Sequence, residues 1–343
     1  MPVRLHSSRF SQNRGQSPEN NVEEPCSREP ITIGLVNNMP KAAFKSTEKQ
    51  FISLLDSACN GLPIELSLHV LRGAPMASFR SNSASLYSCT DELVGCRLDG
   101  LIVTGTEPTT AALQDEPYWE SFSQLLAWAR NHTSSTIWSC LAAHAAVLHM
   151  DGIERQRSHT KRFGIFQCHR VSDDRLLTGT APGLSMPHSR WNGVEERELL
   201  ARGYKILTRT DDREVDTFVK QEDSLFIFFQ GHPEYSTDTL LREYRRDIGR
   251  FLQLDAMPYP PLPHGYFAHA TEDAFSSLER SASSLNRGQI LDAIATVMPN
   301  LQIENTWRPS AVRIYSNWLE HLRASKDLSQ RAENLEISRA ACH

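Results

Sequence analysis

The 343-residue sequence has no apolar run near the roughly 20 residues that a membrane-spanning helix needs, and its opening stretch, MPVRLHSSRFSQNRGQSPENN, lacks the apolar segment of a signal peptide. A cytoplasmic location is therefore expected. Charge of one sign is also lacking. Thirty-six Lys and Arg against 41 Asp and Glu leave a formal charge of -5, too weak a field to mark the chain for nucleic acid or an anionic membrane surface. The seven cysteines, Cys26, Cys59, Cys89, Cys96, Cys140, Cys168 and Cys342, are odd in number and widely scattered, with no C-x-x-C pair. That argues against a disulfide framework and against a zinc site, and most of them are expected to be buried, inert, small apolar residues. G-x-G-x-x-G and G-x-x-x-x-G-K-[ST] are both missing, so no nucleotide or flavin site stands out, and no metal site is expected.

What is there is an ordinary globular composition, 40% hydrophobic and 22% charged, on a chain long enough to bury a core. Residues 1–29 are polar and hold few aliphatic side chains, too little apolar surface to offset their ordering entropy, and read as a disordered tail. Residues 30–326 read as one domain and 327–343 as a flexible tail. Within the domain, continuous apolar runs of the kind buried on both faces of parallel sheets occur at ITIGLV (31–36), IELSLHVL (64–71), GLIVTG (100–105), STIWSC (135–140), YKILTR (204–209), DTFVK (216–220) and LFIFFQ (225–230). Helical spacing follows from about Ser46, where Ser46-Thr47-Glu48 resembles an N-terminal cap, from about Pro117 to Arg130, over the alanine-rich LAAHAAVLHM (141–150), and from about Thr237 to Leu252. MPYPPLPHG (257–265) is too rich in proline for regular structure and reads as an extended strap. Helices at about 271–280, 287–297 and 309–325 are expected to pack outside it. Alternating strand and helix with short loops predicts an α/β fold, a mostly parallel sheet with helices on both faces, which binds ligands at the carboxyl ends of its strands.

Cys140 falls at such an end, at the turn from strand to helix. A thiol with its free pKa of about 8.5 is only slightly ionised at pH 7, so a catalytic cysteine needs a helix N-terminus or a neighbouring base. The turn supplies the first, and the unpaired N–H groups that open the following helix suit a developing oxyanion. His232, after another buried strand, can take the thiol proton, and Glu234 can orient the imidazole across Pro233.

The turn, the FQGHPEY segment and several ordered blocks resemble the homoserine O-acyltransferases of methionine biosynthesis, of the homoserine O-succinyltransferase type, which share the class I glutamine amidotransferase-like fold. The blocks are GLVNNMPKAAFKSTEKQFISLL (34–55), DGLIVTG with PYW (99–119), STIWSC, KRFGIF (161–166), MPHSR (186–190), GHPEY (231–235) and EYRRD (243–247). The resemblance covers about 31–325. It implies acyl transfer from an acyl-CoA to Cys140 and then to the hydroxyl of homoserine, a ping-pong reaction with His232 as general base and no cofactor, since acyl-CoA is a substrate. It implies substrate binding by Lys161, Ser189 and Arg246, and a homodimer as partner state. Thr109 falls where the family carries the glycine or glutamate that selects between succinyl and acetyl donors. Leu141-Ala142-Ala143-His144 stands where Trp-Gly-Ala-Gln is common, and His144 is expected to be a packed histidine.

Succinyl transfer is the leading reading, with acetyl transfer or serine as acceptor as alternatives. A glutamine amidotransferase-type hydrolase would use the same Cys-His-Glu set, but no synthetase partner domain is visible. A non-catalytic binding member is disfavoured because Cys140, His232, Glu234, Lys161 and Arg246 are all retained.

Overall fold

The computed structural model describes residues 3–6, 29–77, 86–253, 258–297, 301 and 303–340. Its strands are β1 (Val3–His6), β2 (Ile31–Val36), β3 (Ile64–Val70), β4 (Tyr87–Cys89), β5 (Gly100–Val103), β6 (Ser135–Ser139), β7 (Gln156–Arg170), β8 (Gly183–Gly193), β9 (Lys205–Thr210), β10 (Val215–Gln221) and β11 (Leu225–Phe229). The α-helices are α1 (Lys41–Ala58), α2 (Trp119–His132), α3 (Leu141–Asp151), α4 (Glu196–Ala201), α5 (Thr239–Gln253), α6 (His269–Ser281), α7 (Arg287–Val297) and α8 (Arg308–Ala340). None of the helices among the described residues is long and apolar enough to cross a membrane.

The described strands form one 11-stranded sheet in the order β1-β3-β2-β5-β6-β11-β10-β9-β7-β8, with β4 also on β3. From β1 to β11 every pairing is parallel; beyond β11 every pairing is antiparallel. The parallel half is the expected α/β sheet, and its strands are apolar throughout because helices cover both faces. On β11 the period of two is visible directly. Ile227 and Phe229 join the cluster under α1 and α8, with Phe51, Leu54, Tyr315, Trp318 and Leu322, whereas Phe226 and Phe228 join the cluster under α2 and α3, with Phe122, Leu125, Trp138 and Ala146. Each large side chain fully buried in this way contributes about 1.5–3 kcal/mol. A third cluster packs α5, α6 and α7 around Phe163, Tyr244 and Phe275.

Several elements differ from the sequence reading. α1 starts at Lys41, not near Ser46: Pro40, with φ -67°, turns the chain, and its carbonyl accepts the Ala43 and Phe44 N–H groups at 2.9 Å. Ser46 is inside the helix, its hydroxyl bonded back to the Ala43 carbonyl at 2.8 Å. Val3–His6, within the segment read as a tail, is a strand in parallel register with Ile64–Ser67; residues 7–28 lie outside the described ones. α8 runs on through 327–340, also read as a tail, on a polar sequence that includes good helix formers such as Gln330 and Arg331. Finally, β7 and β8 form a long hairpin that the sequence reading left unassigned, because the outer part of β7 is exposed on both faces and carries no period-two apolar signal.

The strap is extended where described, from Pro258. His264 forms a parallel bridge with Gly164, exchanging Ile165 N–H to His264 O at 2.7 Å and His264 N–H to Phe163 O at 2.9 Å.

Candidate active site

β6 and β11 are parallel neighbours, with Ser139 opposite Phe229, so the residues that follow each strand emerge at the same sheet edge. One continuation is Cys140. The other runs through Gln230 and Gly231 to His232. The two are tied by the Cys140 N–H, which donates to the Phe229 carbonyl at 2.7 Å.

Cys140 has φ 53° and ψ -112°, a conformation in which a non-glycine residue is strained. The strain projects a partly exposed thiol from the turn while α3 starts at the next residue. Ala143 and His144 donate to the Cys140 carbonyl at 3.0 and 3.2 Å. Leu141 and Ala142, first in the helix, have no preceding turn to bond and are the amides suited to an oxyanion. Gly105 is the close neighbour of this turn: a Cβ there would lie 2.9 Å from the Leu141 nitrogen. The other described cysteines do not share this setting; Cys59, Cys89 and Cys168 are buried and Cys96 is in a loop.

Gly231 is required by the opposite wall. An added Cβ would meet Met186 Cγ at 2.3 Å, Asp216 Oδ1 at 2.9 Å and the Pro187 carbonyl at 3.0 Å. With the chain pressed onto β8 and β10 there, the His232 N–H reaches the Pro187 carbonyl at 2.8 Å. The imidazole is then clamped on two sides: Nδ1 is 2.8 Å from Glu234 Oε1, and the ring stacks on Tyr235 with centroids 4.2 Å apart. Burial by itself would push the His232 imidazole toward neutrality. The negative charges of Cys140 and Glu234, and hydrogen bonds to both, outweigh it and hold the group well above 6.5. Cys140, His232 and Glu234 are thus brought together, with the imidazole between the thiol and the carboxylate.

Tyr235 leads outward. Its hydroxyl donates to Glu243 Oε1 at 2.6 Å, and the Ser189 hydroxyl donates to Glu243 Oε2 at 2.5 Å. One turn along α5, Asp247 takes Lys161 Nζ at 2.9 Å and the Arg246 guanidinium at 2.9 Å. Burial works against ionised Asp247, but these two cations keep it below the usual carboxylate range. Ser189, Lys161 and Arg246 therefore converge on one strip of α5, one residue beyond the His232–Tyr235 stack. Sequence reasoning assigned no role to Glu243, Asp247 or Tyr235, although all three stood in the quoted GHPEY and EYRRD blocks; the signal was in hand but had no partner until β7 and β8 were placed.

Thr109 turns inward on its own loop. Its amide and hydroxyl both donate to Glu116, at 2.6 and 2.9 Å, and Thr110 adds two more bonds to the same carboxylate. His144 is 2% exposed and bonded to Gln230 Oε1 at 2.9 Å, and burial lowers it to about 3, so it is a packed neutral histidine.

The sequence profile described as homoserine O-succinyltransferase matches residues 19–327. The chain belongs to the homoserine O-succinyltransferase family. Among its relatives, the homoserine O-succinyltransferase of Bradyrhizobium japonicum is 44% identical over 308 residues, 86% of this chain and 91% of the relative. That of Rhodopseudomonas palustris is 43% identical over 84% of this chain and 87% of the relative. A glutamine amidotransferase from Thermotoga maritima shares the fold, at 10% identity and a TM-score of 0.50, over 86% of this chain and 99% of that one. For a member of the homoserine O-succinyltransferase family the Cys140 elbow is the feature to explain, and the structure explains it without a glycine at 142: α3 begins immediately, and Ala142, 4% exposed, packs with Leu141 and Ala145 against Trp138 and Phe122.

Behind the site, Cys168, His188 and Asp216 offer metal-ligand atoms within 4.8 Å of one another, fully buried. Arg190 Nε donates to His188 Nδ1 at 3.2 Å, and the Thr208 and Thr217 hydroxyls each donate to Asp216 Oδ2 at 2.8 Å. This network backs Gly231 and β8, and so fixes the wall against which His232 stands.

Proposed function

We propose that the chain transfers the succinyl group of succinyl-CoA to the hydroxyl of L-homoserine through a thioester on Cys140, the reaction named for its relatives. The observation that carries this reading is the strained Cys140 turn meeting a charge-stabilised His232–Glu234 pair. The Cys140 sulfur attacks the thioester carbonyl of the donor. The oxyanion forms beside the Leu141 and Ala142 amides, and it collapses with loss of CoA, whose sulfur takes the proton held by His232. Neutral His232 then removes the proton of the homoserine hydroxyl. The alkoxide attacks the acyl-Cys140 carbonyl, and the ester leaves as the thiol is regenerated. No cofactor enters.

A zwitterionic amino acid needs a cation for its carboxylate and an anion for its ammonium group. The α5 strip has both: Lys161 and Arg246 supply cations, Glu243 and Asp247 supply carboxylates, and Ser189 adds a hydroxyl.

Incubating the protein with succinyl-CoA alone should release CoA thiol in a stoichiometric burst and leave a succinyl adduct by intact mass, which homoserine then removes. Cys140→Ala should form no adduct. A full rate of transfer in Cys140→Ala would overturn the thioester route, and ammonia release from glutamine without CoA turnover would move the chain to the amidotransferase class.

A further inference from the structure

His144 and Gln230 are polar side chains only 2% and 1% exposed, and no step of the acyl transfer uses them. Two leucines would fill the same space without the cost of desolvating a ring nitrogen and an amide. What the polar pair adds is direction. The Gln230 amide is oriented by backbone groups that have one role each: its Oε1 accepts the Val194 N–H at 3.2 Å, and its Nε2 donates to the Val215 carbonyl at 2.6 Å. His144 Nε2, 2.9 Å from the same Oε1, must therefore carry the ring proton and donate it. With that proton committed, His144 takes no part in proton transfer.

The bond spans the two halves of the site. His144 lies one turn after Cys140, and its own amide donates to the Cys140 carbonyl at 3.2 Å. Gln230 lies two residues before His232 and directly after Phe229, whose carbonyl accepts the Cys140 N–H at 2.7 Å. The nucleophile turn and the base turn are thus tied twice, by backbone at their root and by side chains one helical turn further on. A single tie leaves a hinge, whereas two ties fix an angle as well as a distance. The turn held in this way is the strained one, with Cys140 at φ 53°, and such a conformation persists only where its surroundings over-determine it. Through Val194, just past β8, and Val215, the first residue of β10, the tie is anchored to the sheet.

We propose that the His144–Gln230 hydrogen bond is a brace that holds the Cys140 thiol within proton-transfer reach of His232, which makes both of them positioning residues. This rests on the reading of Cys140 and His232 as nucleophile and base. Glu234 engages Nδ1 of His232 and leaves Nε2 for the sulfur, and the proton passes only over hydrogen-bond distance. Without the brace the strained turn relaxes, the sulfur moves off Nε2, and the thiol returns toward its free pKa of about 8.5.

The test reads the ionisation of Cys140 directly, as the rate of its alkylation by iodoacetamide against pH in the full chain, with the modified peptide identified by mass. In the unaltered protein the midpoint should lie below the free-thiol value of about 8.5. His144→Leu should raise it by about 1 pH unit and lower kcat for succinyl transfer about 10- to 100-fold, with the KM for succinyl-CoA and for homoserine changed less than about 3-fold. His144→Gln carries an N–H of similar reach and should restore kcat to within about 3-fold and bring the midpoint back. Should His144→Leu not fold, His144→Asn, whose amide is one carbon too short to reach Gln230, should show the same shift. A lower Tm with midpoint and kcat unmoved would overturn the proposal and leave His144 as packing alone. A shift that His144→Gln fails to restore, or a change confined to KM, would overturn it as well. If the unaltered protein alkylates at the free-thiol midpoint, the reading of Cys140 as the activated nucleophile fails first; if it is activated and the variants keep its midpoint, only the brace fails.

Discussion

Glu234 gives one carboxylate oxygen to His232 and keeps the other buried without a partner. A charge held in that way acts chiefly on the imidazole, by orienting it and by stabilising its cation. Glu234→Gln keeps the shape and removes the charge, and should lower kcat by about 10²–10⁴-fold with the fold intact, measured by CoA release alongside circular dichroism. Cys140 is the other source of negative charge at His232. In Cys140→Ala burial is opposed by Glu234 alone, so the His232 titration should move to lower pH, followed by NMR of the imidazole carbons. An unmoved titration would show that the thiol does not share its charge with the ring. Cys140, His232 and Glu234 were legible in the sequence because each follows a strongly apolar strand. Glu243 and Asp247 were not, because charged residues on an amphipathic helix look alike until a neighbouring strand selects among them.

At the scale of elements, the site is assembled from pieces far apart in the chain, and two of them hold the rest in place. Gly164 has φ 137°, and a Cβ there would sit 2.3 Å from the His264 carbonyl oxygen. Gly164→Ala should therefore lift the strap from β7 at a cost of about 2 kcal/mol or more, seen as a lower Tm. α8 braces the other face of the sheet. Trp318 is fully buried, bonds Ser135 Oγ at 3.0 Å, and fills the space above Gly100. Trp318→Ala should lose about 3–5 kcal/mol by urea denaturation while leaving the residual activity of the folded fraction unchanged. The parallel strands could be read from apolar runs alone. The β7–β8 hairpin could not, since the outer part of β7, exposed on both faces, loses the alternation that marks a strand, and yet the hairpin carries Lys161 and Ser189 to the carboxylates of α5.

For the whole molecule, stability in acid should be set first by histidines. Burial lowers His69 and His188 to about 4 and His144 to about 3. Each is neutral when folded and free to charge near 6.5 when unfolded, so the unfolded chain binds protons first as pH falls. The stability these three contribute should be full above about pH 6.5 and decline as pH falls toward 4, by up to about 3 kcal/mol each, whereas His232, raised well above 6.5, contributes in the opposite sense, its share being lost as pH rises. Urea midpoints at pH 7, 6 and 5 check this; a flat series would mean that these side chains escape burial before unfolding.

By itself the sequence determined the parallel half of the sheet and the family, and it named Cys140, His232 and Glu234 as candidates, because apolar runs and ordered motifs are local properties that survive without neighbours. Only the tertiary structure decided what surrounds them. The charge on His232, the closing of Glu116 over Thr109 and the meeting of Lys161, Arg246 and Asp247 at α5 are each set by residues that only the fold brings together, and such contacts exist only once the chain is folded.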